Sequence, residues 1–350
     1  MHPILTFLNN AWPYALALVA FLFLIVIHEF GHFIAAKLLG VRVNEFAVGF
    51  GPKILNKKGK ETEYSLRLVP LGGYCAMEGE DEESADEKAF CKKKAWKRFL
   101  IVIMGATFNI IFGIILVGVT LLPQKAYTTT VVAEFTETAT SNIDGGLKVG
   151  DKIIEVEGRK IFTTYDLSYN FSAVSDGNLN LRVLRNGEKV DLKNVPFKTE
   201  TVEGYNVISV DFWVKGQKPT VTSFLSQTVK TSVSYSRIVI FSLADMLGGR
   251  YKVSDISGPV GVTDAISQAV KTSAMDLIGI MALITINLGI MNLLPIPALD
   301  GGRLVFILIE MIFGKPVPQK YEKWVHAIGL IVLLTFMALI TLKDIWVRIF

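Results

Sequence analysis

The stretch Ile27-His28-Glu29-Phe30-Gly31-His32 lies in an apolar run. The thirteen residues from Ala15 to Ile27 are all apolar, and Phe33 to Leu39 is broken only by Lys37. A helix through this region puts three ionisable groups at membrane depth. Each costs about 3 kcal/mol or more there unless it binds something, so such groups are read as functional. His28 and His32 are i and i+4 on one helical face, with Glu29 beside them. This H-E-x-x-H spacing sets two imidazoles on one zinc ion and a carboxylate where it can activate water. The chain has four histidines, and two of them fall here. The pattern implies an intramembrane zinc hydrolase holding one Zn2+ per chain.

A chain of 350 residues allows about two or three structural units. A hydrophobic fraction of 51% exceeds a soluble norm modestly, which suits a membrane part joined to a soluble part. The net charge of +4 is mild, basic residues are not massed on a helix or arm, and no nucleic-acid motif is present. No nucleic-acid partner is expected. Four segments satisfy the roughly 20 apolar residues that a bilayer requires: about Tyr14 to Leu38, Phe99 to Leu122, Leu277 to Leu299 and Trp324 to Ile345. The first lacks a basic n-region and a cleavage pattern, so it reads as a span rather than a signal peptide. Phe224 to Leu247 is apolar but carries Lys230, Arg237 and Asp245, and reads as an amphipathic helix at the interface.

Basic residues set the orientation. Gly40 to Arg98 holds Arg42, Lys53, Lys57, Lys58, Lys60, Arg67 and the Lys92-Lys93-Lys94 cluster, while the first thirteen residues hold none. The loop is therefore expected in the cytoplasm and residues 123–275 outside. Cys75 and Cys91 fall in that cytoplasmic loop and read as free, non-ligand thiols. The expected layout is a first span with H-E-x-x-H (1–39), a β-rich loop (40–98), a second span (99–122) and an extracytoplasmic α+β domain (126–215). An amphipathic helix and linker (217–275), a third span (276–313) and a fourth span (323–346) follow. The lipid bilayer is thus a partner in its own right.

Within the loop, Tyr64 to Leu68 alternates as a strand, and Gly49, Gly51-Pro52, Gly59 and Gly72-Gly73 supply turns. The resulting small sheet is either a connector or an edge that holds an extended substrate by strand addition. In the second span, Gly105 and Ala106 suit close helix packing. Asn109 needs a partner at that depth, either at the metal site or across a helix pair. Residues 126–215 show strand candidates at Thr128 to Phe135, Leu179 to Leu184 and Val190 to Leu192. The last two flank an Asn186-Gly187 hairpin signal, and Tyr165 to Ser175 reads as a short helix. Ile256 to Gly261 reads as a turn-rich re-entry. The third span ends in Asn292-Leu293-Leu294-Pro295-Ile296-Pro297-Ala298-Leu299-Asp300-Gly301-Gly302, where Pro295 and Pro297 break the helix. Asp300 either completes a three-ligand zinc set with one open position or caps a helix that begins near Arg303. His326 reads as an interfacial histidine.

The run Gly146-Leu147-x-x-Gly150-Asp151-x-Ile153-x-x-Val156-x-Gly158 resembles a PDZ domain, which implies a groove for extended peptide or a chain terminus. Together with Gly49-Phe50-Gly51-Pro52, Pro70-Leu71-Gly72-Gly73-Tyr74, Ser257-Gly258-Pro259 and Asn292 through Gly302, the chain resembles the site-2 protease family, in particular its bacterial RseP-type members. The resemblance implies a polytopic α-helical membrane protein with re-entrant β-structure and one inserted PDZ-like domain. It implies a zinc on His28, His32 and Asp300, with Glu29 as general base. It also implies that a substrate segment is seated near Gly72, Gly73, Pro295 and Pro297, with Asn287 and Asn292 on its backbone and Asn109 close by. Expected substrates are single-span membrane proteins, such as anti-sigma factors, or signal-peptide remnants. The expected location is the bacterial inner membrane, with the active site toward the cytoplasm and the PDZ-like domain outside. Two features depart from the family pattern: Ala106 stands where a proline is usual, and one PDZ-like domain is present where some relatives have two. The rival readings are a metal or proton transporter, which predicts ionisable groups spread through several spans, and an inert PDZ adaptor, which has no need of an intact H-E-x-x-H.

Overall fold

The computed structural model describes residues 3–80, 82–172, 176–202, 205–250 and 258–349. The chain divides into two compact units, one from residues 1–116 and 252–350 and the other from residues 117–251.

In the first unit, helix α1 (Pro3–Leu38) carries the H-E-x-x-H stretch near its C-terminal end. Strands β1 (Val43–Lys58) and β2 (Glu63–Met77) follow, and both bend. Val43 to Val48 pairs with Gly73 to Met77 on one side and with Glu63 to Leu66 on the other, while Lys53 to Lys58 pairs back onto Glu63 to Arg67. Two long strands therefore make four short arms. Positive φ at Gly49, Gly51 and Gly72 permits the bends, since only glycine takes φ of 83–120° without strain. Ser65 and Arg67 also brace the sheet by donating to Glu45 Oε1 at 2.5 and 2.8 Å. Partial burial alone would raise the Glu45 carboxyl, but these bonds hold it down at about 2. Helix α2 (Ala95–Leu121) comes next.

In the second unit, β3 (Tyr127–Phe135), β4 (Lys152–Val156), β5 (Arg159–Lys160) and α3 (Thr164–Ser172) are followed by β6 (Asn178–Arg185) and β7 (Glu188–Pro196). Strands β8 (Thr199–Val202) and β9 (Tyr205–Ile208) form a separate pair ahead of β10 (Phe212–Gln217). The main sheet has the order β10-β3-β4-β6-β7, with β5 beside β4. Asn186 and Gly187 have φ of 53° and 88°, as the two-residue turn between β6 and β7 demands. Val132, Ile153, Phe171, Leu179 and Val183 are among the residues that fill its core.

Helix α4 (Val221–Leu247) is the segment read as interfacial, and within this unit it turns its polar side inward. Ser234 Oγ donates to Asp166 at 2.6 Å, and Arg159 and Tyr169 donate to Asp245. Val221, Leu225, Val229 and Val233 remain exposed.

The first unit resumes with α5 (Pro259–Thr272), α6 (Ala274–Leu293), α7 (Asp300–Phe313) and α8 (Gln319–Ile349). The turn-rich reading of Ile256 to Gly261 is corrected here: Gly258 is an N-cap and Pro259 opens a helix, a position where its missing N–H is harmless. The Gly258 and Gly261 amides donate to Asp344 Oδ2 of α8 at 2.8 and 3.1 Å. Ile256, Ser257 and the end of the Tyr165 to Ser175 segment lie outside the described residues. The third apolar helix ends at Leu293, six residues short of the expected Leu299, because Pro295 and Pro297 prevent its continuation.

Among the described residues, four helices are long and apolar enough to cross a membrane: Trp12–Leu38, Ala95–Leu121, Ala274–Leu293 and Lys320–Trp346. Ala36, Val41, Val43, Met77, Ile101, Val102, Leu304 and Ile307 belong to a buried cluster joining α1, the sheet, α2 and α7. Cys75 belongs to that cluster and Cys91 lies nearby in sequence; both are free thiols, and burial pushes the Cys75 thiol up.

Candidate active site

Helical spacing brings the imidazoles of His28 and His32 together edge to face, with their ring centres 4.8 Å apart. Two residues of α2, Ile101 and Asn109, flank the pair. Ile101 O accepts from His32 Nδ1 at 2.9 Å, which leaves the Nε2 lone pair available to a metal. The amide of Asn109, fully buried in α2, meets His28 Nδ1 at 3.2 Å. Asn109 thus sits at the histidine pair, and its backbone carbonyl also accepts from Thr285 Oγ1 of α6.

The turn from Leu294 to Leu299 brings Asp300 to the same point. Gly301 and Gly302 make the turn possible, because a Cβ at either would fall 1.9 Å from Leu294 O or 2.6 Å from Ile296 O. The capping alternative is not what is found: Leu299 is the N-cap of α7 and no side chain caps it. Instead, Asp300 Oδ2 stands 3.1 Å from His28 Nε2 and 3.2 Å from His32 Nε2, and the two Nε2 atoms are 3.2 Å apart. This near-equilateral triangle of donor atoms fits zinc. Ligands at 2.0–2.1 Å in a tetrahedron lie about 3.3 Å from one another. Among the described residues, His28, His32 and Asp300 form the group able to hold a metal ion.

Glu29 opens, with His28 and Asp300, into a cavity of about 260 Å³ that Ile25, Leu288, Asn292, Ala298 and Leu299 also line. The backbone at Gly73 passes over Glu29: a Cβ there would lie 3.7 Å from Glu29 Cγ and 2.8 Å from Ala47 O. Gly72, at φ 120°, packs on the Phe50 ring. Asn292 therefore lines the site, whereas Asn287 is exposed and is not among the cavity's residues. Pro295 is exposed, and Pro297 packs against α8 at Gly329.

Two contributors escaped sequence reasoning. Gly105 was assigned to helix packing alone, yet the histidine pair rests directly on it. His326 of α8 accepts the Ala298 N–H at 3.1 Å through Nδ1. For Gly105, the signal in the sequence is its place one turn from Asn109 on the same span.

A buried pair of imidazoles, a converging carboxylate and a glutamate in one cavity, carried on helices able to cross a membrane, define a multi-pass zinc metalloprotease. Residues 16–336 match peptidase family M50. A candidate zinc metalloprotease of Clostridium acetobutylicum is 36% identical over 94% of this chain and 96% of its own. Those of Clostridium perfringens and Fusobacterium nucleatum are 34% and 32% identical, over 94% and 95% of this chain and 97% and 98% of theirs. The chain belongs to peptidase family M50, the site-2 protease family, and zinc is its metal. The adaptor and transporter readings give way to the enzyme.

Proposed function

We propose that this protein cleaves peptide bonds within or near the membrane-spanning segment of other proteins, as a bacterial RseP-type enzyme of regulated intramembrane proteolysis. The observation that carries this reading is the triangle of His28 Nε2, His32 Nε2 and Asp300 Oδ2 at the end of a helix able to cross a membrane. These three residues would hold the zinc, which would supply Lewis-acid polarisation for water and the scissile carbonyl. Glu29 accepts the water proton and delivers it to the leaving amide nitrogen. Asn109 and the Ile101 carbonyl orient the two imidazoles.

A helical substrate has its carbonyls locked in its own hydrogen bonds, so it must be extended before attack. The Gly73 to Met77 arm is paired with β1 on one side and passes beside Glu29, which suits it to receive an extended segment by strand addition. Asn292, in the same cavity, is placed to hold the segment's backbone.

The substrates of this reading are single-span membrane proteins or signal-peptide remnants in the bacterial inner membrane. The basic loop orients the active site toward the cytoplasm. The domain of residues 126–215 is PDZ-like and extracytoplasmic, with a groove for peptide, and the exposed apolar stripe of α4 lies on the bilayer surface.

The test is to reconstitute the purified protein in liposomes with a single-span substrate and map the new termini by mass spectrometry. Cleavage inside the apolar segment supports the proposal. Cleavage confined to the soluble tails contradicts it.

A further inference from the structure

The Leu294 to Leu299 turn carries Asp300, yet its backbone has few means of holding its shape. Pro295 and Pro297 have no N–H to offer. Ile296 and Leu299 spend their amides within the turn, donating to Leu294 O and Ile296 O, and Leu294 donates back to Met291 O in the last turn of α6. Ala298 is the exception. Its N–H leaves the turn and donates to His326 Nδ1 of α8 at 3.1 Å. Ala298 also has a φ of 73°, the left-handed region that a residue with a Cβ enters only when its surroundings require it.

The surroundings that require it lie on one face of α8. Gly329 is three residues beyond His326 and so on the same face. A Cβ at 329 would fall 2.3 Å from Pro297 Cβ and 2.9 Å from Pro297 C, so glycine lets α8 lie directly on the turn. The His326 ring is fixed from the other side by Phe306 of α7, with ring centres 5.8 Å apart. The turn is also a partition: Ala298 lines the cavity that holds Glu29 and Asp300, while His326 lines a separate cavity of about 740 Å³ with Arg303 and Glu322.

We propose that His326 is a positioning residue for the metal site. It holds Ala298 in its left-handed conformation and thereby aims the Asp300 carboxylate, two residues on, at the histidine pair. His326 touches neither metal nor substrate in this role and acts only through the Ala298 amide. The proposal rests on the reading of Asp300 as a zinc ligand.

The distinguishing feature is an acceptor at the Nδ1 position. Asparagine can place its Oδ1 there, glutamine sets its polar group at the Nε2 position instead, and leucine offers no acceptor. The experiment uses full-length protein in detergent, loaded with Zn2+ and challenged with a chromophoric chelator, with the visible spectrum of Co2+-loaded protein as a second readout. Wild type is compared with His326→Leu, His326→Asn, His326→Gln and Asp300→Ala.

The expected result is metal loss at least about tenfold faster in the leucine and glutamine variants, the scale of a lost outer contact. Their Co2+ bands should be altered, and the asparagine variant should stay near wild type. If the leucine variant fails to fold, the asparagine and glutamine pair decides, and equal behaviour of those two overturns the proposal. Rapid metal loss from Asp300→Ala, with all three His326 variants matching wild type, overturns the role of His326 and leaves Asp300 as a ligand. Wild-type metal retention in Asp300→Ala overturns both.

Discussion

Gly105 of α2 lies against His32 of α1: a Cβ at position 105 would stand 2.3 Å from His32 Nε2 and 2.9 Å from His28 Cε1. Gly31 makes the reciprocal approach, where a Cβ would fall 2.3 Å from Met104 O. The helices that frame the metal site therefore touch backbone to backbone at the site itself. Gly105→Ala must push the imidazoles off the triangle, and zinc affinity should drop on the order of 10–100-fold while helicity persists. Metal analysis alongside circular dichroism checks this, and full zinc content in a folded variant would refute it.

Asp300 makes no capping bond, so its removal should spare α7. Asp300→Ala is expected to weaken zinc binding by more than the roughly 100-fold of an outer-contact change. Hydrogen exchange in residues 300–313 should stay slow. Fast exchange there with zinc retained would mark Asp300 as a structural residue.

Gly72 combines a φ of 120° with the Phe50 ring 2.3 Å from where a Cβ would stand. Gly72→Ala should distort the bend that carries Gly73 over Glu29 and leave the metal ligands in place. Cleavage is expected to fall at least about tenfold, with zinc content unchanged. Loss of zinc together with activity would mean that the bend supports the metal site rather than the substrate.

Within the second unit, Asp245 accepts from Arg159, Tyr169 and Arg250 while only 7% exposed. Asp245→Ala leaves the partly buried Arg159 without its carboxylate and should destabilise the unit by about 1–3 kcal/mol, read as a lower midpoint of denaturant unfolding. The Arg159 hydrogen bonds hold the Asp245 carboxyl below its usual range, although partial burial opposes them. A depressed folded pKa gives stability that is fully present above the unfolded value of about 3.9 and is lost as pH falls through the folded one. Wild type should therefore weaken more than Asp245→Asn below about pH 4. Parallel acid profiles would show that this carboxylate is not the group responsible.

The parts legible in the sequence were those with local causes. The H-E-x-x-H face, the proline break and the Asn186-Gly187 turn each follow from backbone geometry within a few residues. What sequence patterns missed depends on partners far along the chain. Gly258-Pro259-Val260-Gly261 reads as a turn until Asp344, more than 80 residues on, supplies the acceptor that its amides meet. His326 gains its role from Ala298, 28 residues away on another element. The family resemblance implies that Asn287 and Asn292 both contact substrate, but five residues on a helix separate them by about 140°. Only Asn292 can face the cavity when Asn287 faces outward.

The most direct measurement is zinc stoichiometry together with cleavage of a reconstituted single-span substrate, in wild type and Glu29→Gln. The expected result is one zinc per chain in both proteins and cleavage by wild type alone. Cleavage by Glu29→Gln at the wild-type rate, or a wild-type protein that cleaves without zinc, would contradict the proposed roles of Glu29 and of the His28, His32 and Asp300 triangle.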